Sequence, residues 1–353
     1  MDVLQDAGYI LQAVQKEIAQ TTKIGIDTIA QTMKEAGIKA IEWDDAVYKK
    51  AGLEPKPLGE SPYLQRLLQR NYEKTKGEMH NYTGTMPNAC HDNYIDAVDK
   101  AYNQTASGTT SYTEAVKEAV NDIIDKGADV TYPSGRRDSI ETATARAVRT
   151  GVSQMAADIT DARMDEMDWD IILTSAHLGA RIGNGGDNLT NHFWWQGKFY
   201  SKSGNDPRFP PFSVCGMGNV QGIHGANCRH SHGPGDGINN PFEDYDSEEN
   251  RKEYEKRKRQ RELERRIRKT KRQLIGMKTA VDNAKDESLK HELDMEYQKK
   301  AALLQKQNQA YKDYCKQNNL KTQNERLNTA GWDRSQASSA RGAATRYNNA
   351  RGK

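Results

Sequence analysis

The stretch "DWDIILTS" at 168–175 decides the fold class. Trp169, Ile171, Leu173 and Ser175 fall on one side of a two-residue period, and Asp170, Ile172 and Thr174 on the other. That alternation predicts a strand. It returns in "HFWWQGKFYS" at 192–201, where Phe193, Trp195 and Phe199 share a side, and predicts a second strand. Between 179 and 240 the chain is crowded with Gly, Asn, Pro and Asp, which favours long irregular loops. A small sheet in a chain that otherwise reads as helices makes the fold class α+β, predominantly α.

Upstream, every strong signal is helical. "YPSGRRD" at 132–138 reads as a turn, with Asp138 and Glu141 as a capping box. A long helix then runs to about Met167. Ser111 and Glu114 form another box, ahead of a helix carrying Val116, Val120, Ile123 and Ile124. A further helix is predicted at about 88–104. "GLEPKPLGESP" at 52–62 holds three prolines and breaks the chain. Ser61-Pro62 then reads as an N-cap followed by proline at the first helical position, and Tyr63, Leu64, Leu67, Leu68 and Tyr72 stripe the helix behind it. In the first 50 residues Val3, Leu4, Ala7, Leu11, Val14 and Ile18, then Ile26, Ile29, Met33, Ile41 and Val47, step at helical intervals.

Downstream, a helical pattern runs from about Ser247 to Asn318. At 1.5 Å per residue, some 70 residues of helix would span about 100 Å. Ile267, Leu274 and Val281 recur every seven residues, with Leu263, Met277 and Ala284 between them and Thr270 interrupting. This is a short, imperfect coiled-coil seam, which offers self-association through the C-terminal helix. Leu289, Leu293, Tyr297, Leu304, Tyr311 and Tyr314 continue at a looser period. The last segment is small, polar and basic, which predicts a flexible tail or a weak helix that orders on a partner. The chain thus divides into an N-terminal helical region (1–130), an α+β module (131–240), a long basic helix (241–318) and a flexible basic tail (319–353).

Composition narrows the function. Apolar residues are 35% and charged residues 29% of 353, with a mean hydropathy of −0.95, too polar for one compact globule. No run of about 18 apolar residues exists, so no membrane span is predicted. The N-terminus lacks the pattern of a signal peptide. Four cysteines, at 90, 215, 228 and 315, are too few and scattered for a disulfide framework, which fits synthesis in a reducing cytoplasm. Residues 241–353 carry 28 Lys+Arg against 18 Asp+Glu, a net +10, on a body that is net −7. Such asymmetry suits an acidic partner, DNA or protein.

Three constellations carry chemistry. "HGANCRHSH" at 224–232 packs a cysteine among histidines. Cys215, His224, Cys228 and His230 supply zinc's preferred ligand types, but not at a zinc-finger spacing, and His177 and His192 could converge on them. The simpler reading is a glycine-rich loop whose Cys and His pack locally, with no cofactor. A thiol hydrolase of Cys228 with His230 or His177, or a metal-dependent nuclease using His177, His192 and His230, is the enzymatic alternative. "GARIGNGGD" at 179–187 matches neither a P-loop nor a dinucleotide fingerprint. The tryptophans of "FWWQGKFY" read as a core stripe before a base-stacking platform. Finally, residues 248–278 hold fourteen basic and six acidic side chains. Arg257, Lys258, Arg259, Arg265, Arg266, Arg268 and Lys269 could contact phosphates in a salt-sensitive manner. Pairing with the interleaved glutamates along a solvated helix is the plain alternative.

"AVRTGVSQ" (147–154), "DWDIILTSAHLGAR" (168–181), "WQGKFYS" (195–201) and "GANCRH" (225–230) occur in one order. Together they resemble the tailed-bacteriophage minor capsid protein 2 family, itself similar to the Mu F-like head morphogenesis proteins. The resemblance is close over about 140–240. It implies a non-enzymatic structural component of the virion, made in the bacterial host cytoplasm and placed at the portal vertex or capsid of the phage head. Its partners would be portal and major capsid proteins, with packaged DNA as a further contact and a role in head morphogenesis and DNA packaging or delivery. The signature side chains carried over by position are His177, Arg181, His192, Gln196, Gly197, Asn227, Cys228, Arg229 and His230. One departure is "IGNGGDNLTN" at 182–191, an insertion that lengthens the loop between Arg181 and His192.

Overall fold

A computed structural model describes residues 41–352 apart from 43, 108, 127, 128, 133, 134 and 330. The helices expected before residue 41 lie outside the described residues. A helical segment covers 41–50, and a 3-10 turn covers Leu58–Glu60. The remaining helices are α1 (Pro62–Ala106), α2 (Tyr112–Lys126), α3 (Ile140–Glu166), α4 (His192–Trp195), α5 (Ser247–Asn283), α6 (Glu287–Gln317) and α7 (Arg334–Arg351). The strands are β1 (Asp129–Thr131), β2 (Arg137–Ser139), β3 (Ile171–Thr174), β4 (Phe199–Ser201) and β5 (His232–Pro234). The fold is α+β and predominantly α, as its pattern predicted.

Contacts divide the described chain into two compact units. The first takes His80–Ala143 and residues 258–352. In it, α5 and α6 form an antiparallel pair. Gln260 Nε2 donates to Cys315 Sγ at 3.4 Å, and the Tyr311 hydroxyl donates to Glu264 Oε1 at 3.3 Å. The seam residues Leu263, Ile267, Leu274, Met277 and Ala284 are buried with Leu289, Leu293, Tyr297 and Leu304 of α6 and with Val116, Val120, Ile123 and Ile124 of α2. The seam expected to meet a partner is thus occupied within the chain. Gly276 makes room for α2: a Cβ there would lie 2.4 Å from Ile124 Cγ1. At α2, the Ser111 hydroxyl accepts from Glu114 N–H at 3.2 Å, as expected.

Three expectations need correction in this unit. The helical pattern of 247–318 is not one rod. It breaks at 284–286, where Asp286 caps a new helix by accepting from Leu289 N–H at 2.7 Å. The tail is not irregular either. Asp333 caps α7 through Gln336 N–H at 2.8 Å, and Ala340, Ala343 and Ala344 are buried in the α6 core. A face of alanines lets the two helices approach closely, which a hydropathy reading of so polar a segment misses. β1 pairs antiparallel with β2, and Ser139 rather than Asp138 caps α3, accepting from Thr142 N–H at 3.4 Å.

The second unit takes residues 41–79 and Thr144–Arg257. Its sheet has the order β4-β3-β5, antiparallel throughout, with Ile172 opposite both Tyr200 and Pro234. β3 is central, and Ile172, Leu173 and Thr174 are all buried, so neither face is the polar one that alternation suggested. The core beside it gathers Tyr48, Met164, Trp195, Tyr200, Phe212, Cys215 and Ile223. "HFWWQGKFYS" is only partly a strand. Residues 192–195 form α4, and only 199–201 pair with β3. Asn191 caps α4, its Oδ1 accepting from Trp194 N–H at 3.2 Å, and Gly197 turns the chain out at φ +63°. At the start of α1, the Ser61 hydroxyl accepts from Leu64 N–H at 3.4 Å, as read from Ser61-Pro62. Beneath it, Arg163 is fully buried, its guanidinium shared by Asp45 (3.1 Å), Glu166 (2.9 Å) and the Lys56 carbonyl (2.6 Å).

Candidate metal centre

The insertion at 182–191 delivers His192. Its backbone is tied by Asn188 Nδ2 to the Gly185 carbonyl (2.5 Å) and by Asn191 Nδ2 to the Gly186 carbonyl (2.8 Å). The cap at Asn191 then makes His192 the first residue of α4, 1% exposed. The loop of 175–181, which carries His177, is clamped by Asn250. Asn250 Oδ1 accepts from the N–H groups of Gly179 and Ala180, both at 2.8 Å, and its Nδ2 donates to the Ala180 carbonyl at 3.0 Å. Cys228 and His230 come from the segment leading into β5. Its tight path uses left-handed backbone at His224 (φ +56°) and Asn227 (φ +61°).

These elements converge on His230. Its ring stacks on His177 with centroids 4.4 Å apart, meets Trp195 edge-on at 4.7 Å and lies 5.3 Å from His192. His192 Nδ1 and His230 Nδ1 are 3.3 Å apart, and Cys228 Sγ is 3.7 Å from the first and 3.8 Å from the second. The tautomers follow from obligate partners. His192 Nε2 lies 2.8 Å from the Gln221 backbone carbonyl, so it is the N–H. The His177 backbone N–H donates to Gln196 Oε1 at 3.1 Å, which fixes that amide's orientation. The same oxygen lies 2.9 Å from His230 Nε2, which must therefore donate. Both Nδ1 lone pairs face the thiol. Burial holds His192 down at about 4 and His230 well below its ordinary value, so both rings are neutral. Burial likewise raises the Cys228 thiol.

A second network lies beside it, among residues the sequence reading did not combine. The Ser153 hydroxyl donates to His224 Nδ1 (2.7 Å), His224 Nε2 donates to His232 Nδ1 (2.8 Å), and His232 Nε2 donates to Asp161 Oδ1 (3.1 Å). Every nitrogen in this line has one partner of the right kind. Burial lowers His224 to about 3. For Asp161 burial acts upward, but the bond and charge of His232 outweigh it and leave the carboxyl low. His224 and His232 line a cavity of about 440 Å³ with Asp44, Thr160, Leu173 and Phe242. Ser153 and Asp161 sit two helical turns apart on α3, a spacing that could have marked one face.

The four residues first grouped as zinc ligands are therefore not one cluster. Cys228 and His230 meet, but His224 belongs to the second network. Cys215 lies in the apolar core beside Tyr200, its thiol pushed up to about 12 by burial. His192 takes their place. Among the signature residues, Arg181 donates to the Ala226 carbonyl at 2.9 Å and so braces the loop. Gly197 is buried, and a Cβ on it would lie 3.0 Å from Ala176 Cβ. Asn227 and Arg229 are exposed.

Within each unit the basic stripe is largely paired. Arg257 bridges Glu253 at 2.7 Å. Arg259 and Arg266 share Glu262 at 2.6 and 2.5 Å. Lys269 meets Asp125 at 3.0 Å, and Arg268 donates to the Arg326 carbonyl at 2.5 Å. Lys258 and Arg265 are exposed. Among the described residues no helix is long and apolar enough to cross a membrane.

No curated protein and no solved structure matches the chain. The family model described as phage minor capsid protein 2 matches residues 1–316, which takes in the whole Cys and His cluster and ends before α7. With a match of that extent, the chain belongs to the phage minor capsid protein 2 family.

Proposed function

We propose that this protein is a non-enzymatic component of the portal vertex of a phage head. There it would contact portal and major capsid subunits and take part in head morphogenesis and in packaging or delivery of DNA. The observation that carries the reading is the family match over 1–316, which makes the chain a minor capsid protein. The chemistry of the buried cluster agrees with it. A thiol nucleophile must ionise, and burial holds Cys228 protonated. A nuclease centre must admit a phosphodiester, and His192 and His230 are 1% and 2% exposed. The cluster therefore serves the architecture of the small sheet.

Contact with DNA would rest on the exposed part of the α5 stripe, including Lys258 and Arg265. Internal pairing of its neighbours favours protein over nucleic acid as the principal partner, because paired cations release few counterions from phosphate. Lysine-directed cross-linking of purified particles, read by mass spectrometry, tests the placement. Cross-links between this chain and the portal protein are expected. Cross-links confined to the capsid lattice, with none to the portal, would overturn the vertex reading.

A further inference from the structure

We propose that Cys228, His192 and His230 form a binding site for one zinc-class divalent ion, ligated through Sγ, Nδ1 and Nδ1. The first argument is distance. Zinc bonds of about 2.05 Å to imidazole and about 2.3 Å to thiolate, at tetrahedral angles, place two nitrogens about 3.35 Å apart and each nitrogen about 3.6 Å from the sulfur. The three separations here are 3.3, 3.7 and 3.8 Å, the three edges of one face of such a tetrahedron.

The second argument is the hydrogen-bond pattern. Each ring donates its far nitrogen to an oxygen whose acceptor role is fixed: the Gln221 carbonyl for His192, and Gln196 Oε1, itself oriented by the His177 N–H, for His230. That outer bond is the one metal-bound histidines make, and it leaves the inner lone pairs free. Here both inner lone pairs point into one space. A single thiol hydrogen can satisfy only one of them, and protonating either ring would bury a charge among apolar and aromatic neighbours. A cation accepts from all three donors at once. His177, stacked on His230, adds another buried ring nitrogen, Nε2, with no hydrogen-bond partner. In the neighbouring Ser153–His224–His232–Asp161 line, by contrast, each ring nitrogen is satisfied by a hydrogen bond.

The donor set selects the metal. Two imidazoles and a thiolate suit zinc and disfavour magnesium or calcium, which take oxygen ligands. Binding converts the Cys228 thiol to thiolate and releases its proton to solvent. The ion would tie α4 to the segment that enters β5, adding to the ring contact of Trp195 and the hydrogen bond of Gln196 with His230.

Full-length protein, purified and dialysed against metal-free buffer, is assayed for zinc, then stripped with a chelator, loaded with cobalt(II) and examined by absorption. The proposal expects about one zinc per chain and a thiolate-to-cobalt charge-transfer band. Cys228→Ser and His192→Gln should each weaken binding by at least about tenfold. Cys215→Ser should retain both the ion and the band. Absence of both zinc and the band in the wild type would overturn the assignment, and so would a band that survives Cys228→Ser or vanishes in Cys215→Ser. If Cys228→Ser fails to fold, the wild-type band still decides, since it reports a bound thiolate directly.

Discussion

Replacing Asp44 by asparagine should flatten the dependence of stability on pH. Asp44 is 3% exposed and accepts a hydrogen bond from the Thr160 hydroxyl at 2.6 Å. Burial raises its carboxyl to about 7. The Thr160 bond and the neighbouring His232 and Arg163 lower it in part, and Asp45 pushes it up. The unfolded value is 3.8, so the folded state binds the proton more tightly between pH 4 and 7. Stability is then full below about pH 4 and falls as pH rises through about 7, because the folded chain must carry a buried charge. Roughly three pH units at 1.36 kcal/mol each set the loss at up to about 4 kcal/mol. Urea denaturation of wild type and Asp44→Asn at half-unit steps from pH 4.5 to 8.5 measures it. The difference between the two proteins should grow with pH in favour of asparagine and level off above pH 8. Parallel curves would refute the buried carboxyl as its source.

Other substitutions probe both units. Arg163→Ala leaves Asp45 and Glu166 without their shared cation and should cost about 3–5 kcal/mol in chemical denaturation, as removal of one partner of a buried ion pair does. Gly197→Ala forces a side chain into left-handed backbone against Ala176, and a loss of about 1–2 kcal/mol is expected by the same measurement. Ala343→Glu places a charge in the contact between α6 and α7. It should expose the segment around 319–333 to limited proteolysis while the rest of the chain resists, and an unchanged digest would mean that α7 does not depend on that face.

The parts of the fold legible in the sequence were those set by local chemistry. Ser61-Pro62 and Ser111 cap helices because hydroxyl and backbone N–H are three residues apart whatever the rest of the chain does. The β3 strand was visible in its two-residue alternation, though its faces were not, since a central strand is covered on both sides. What failed were choices made elsewhere in the chain. Trp195 and Phe199 share a parity, which imitated one strand, but the Asn191 cap and the Gly197 turn split the segment into a helix and a strand. The seven-residue period of α5 marks a seam, but period alone does not say which helix covers it, and here α6 and α2 do. For the cluster, Cys228 and His230 were found from their density of donors. Cys215 and His224 were added for nearness along the chain. His192, brought in from 36 residues before Cys228 by a capped helix, could be named only as a side chain able to converge on them, because spacing along the chain does not show the meeting.

The most direct measurement is quantitative mass spectrometry of DNA-filled particles purified from the source of this sequence. The account predicts that the chain is present inside the particle at far lower copy number than the major capsid protein. Particles that package DNA and infect normally while lacking the chain would contradict it.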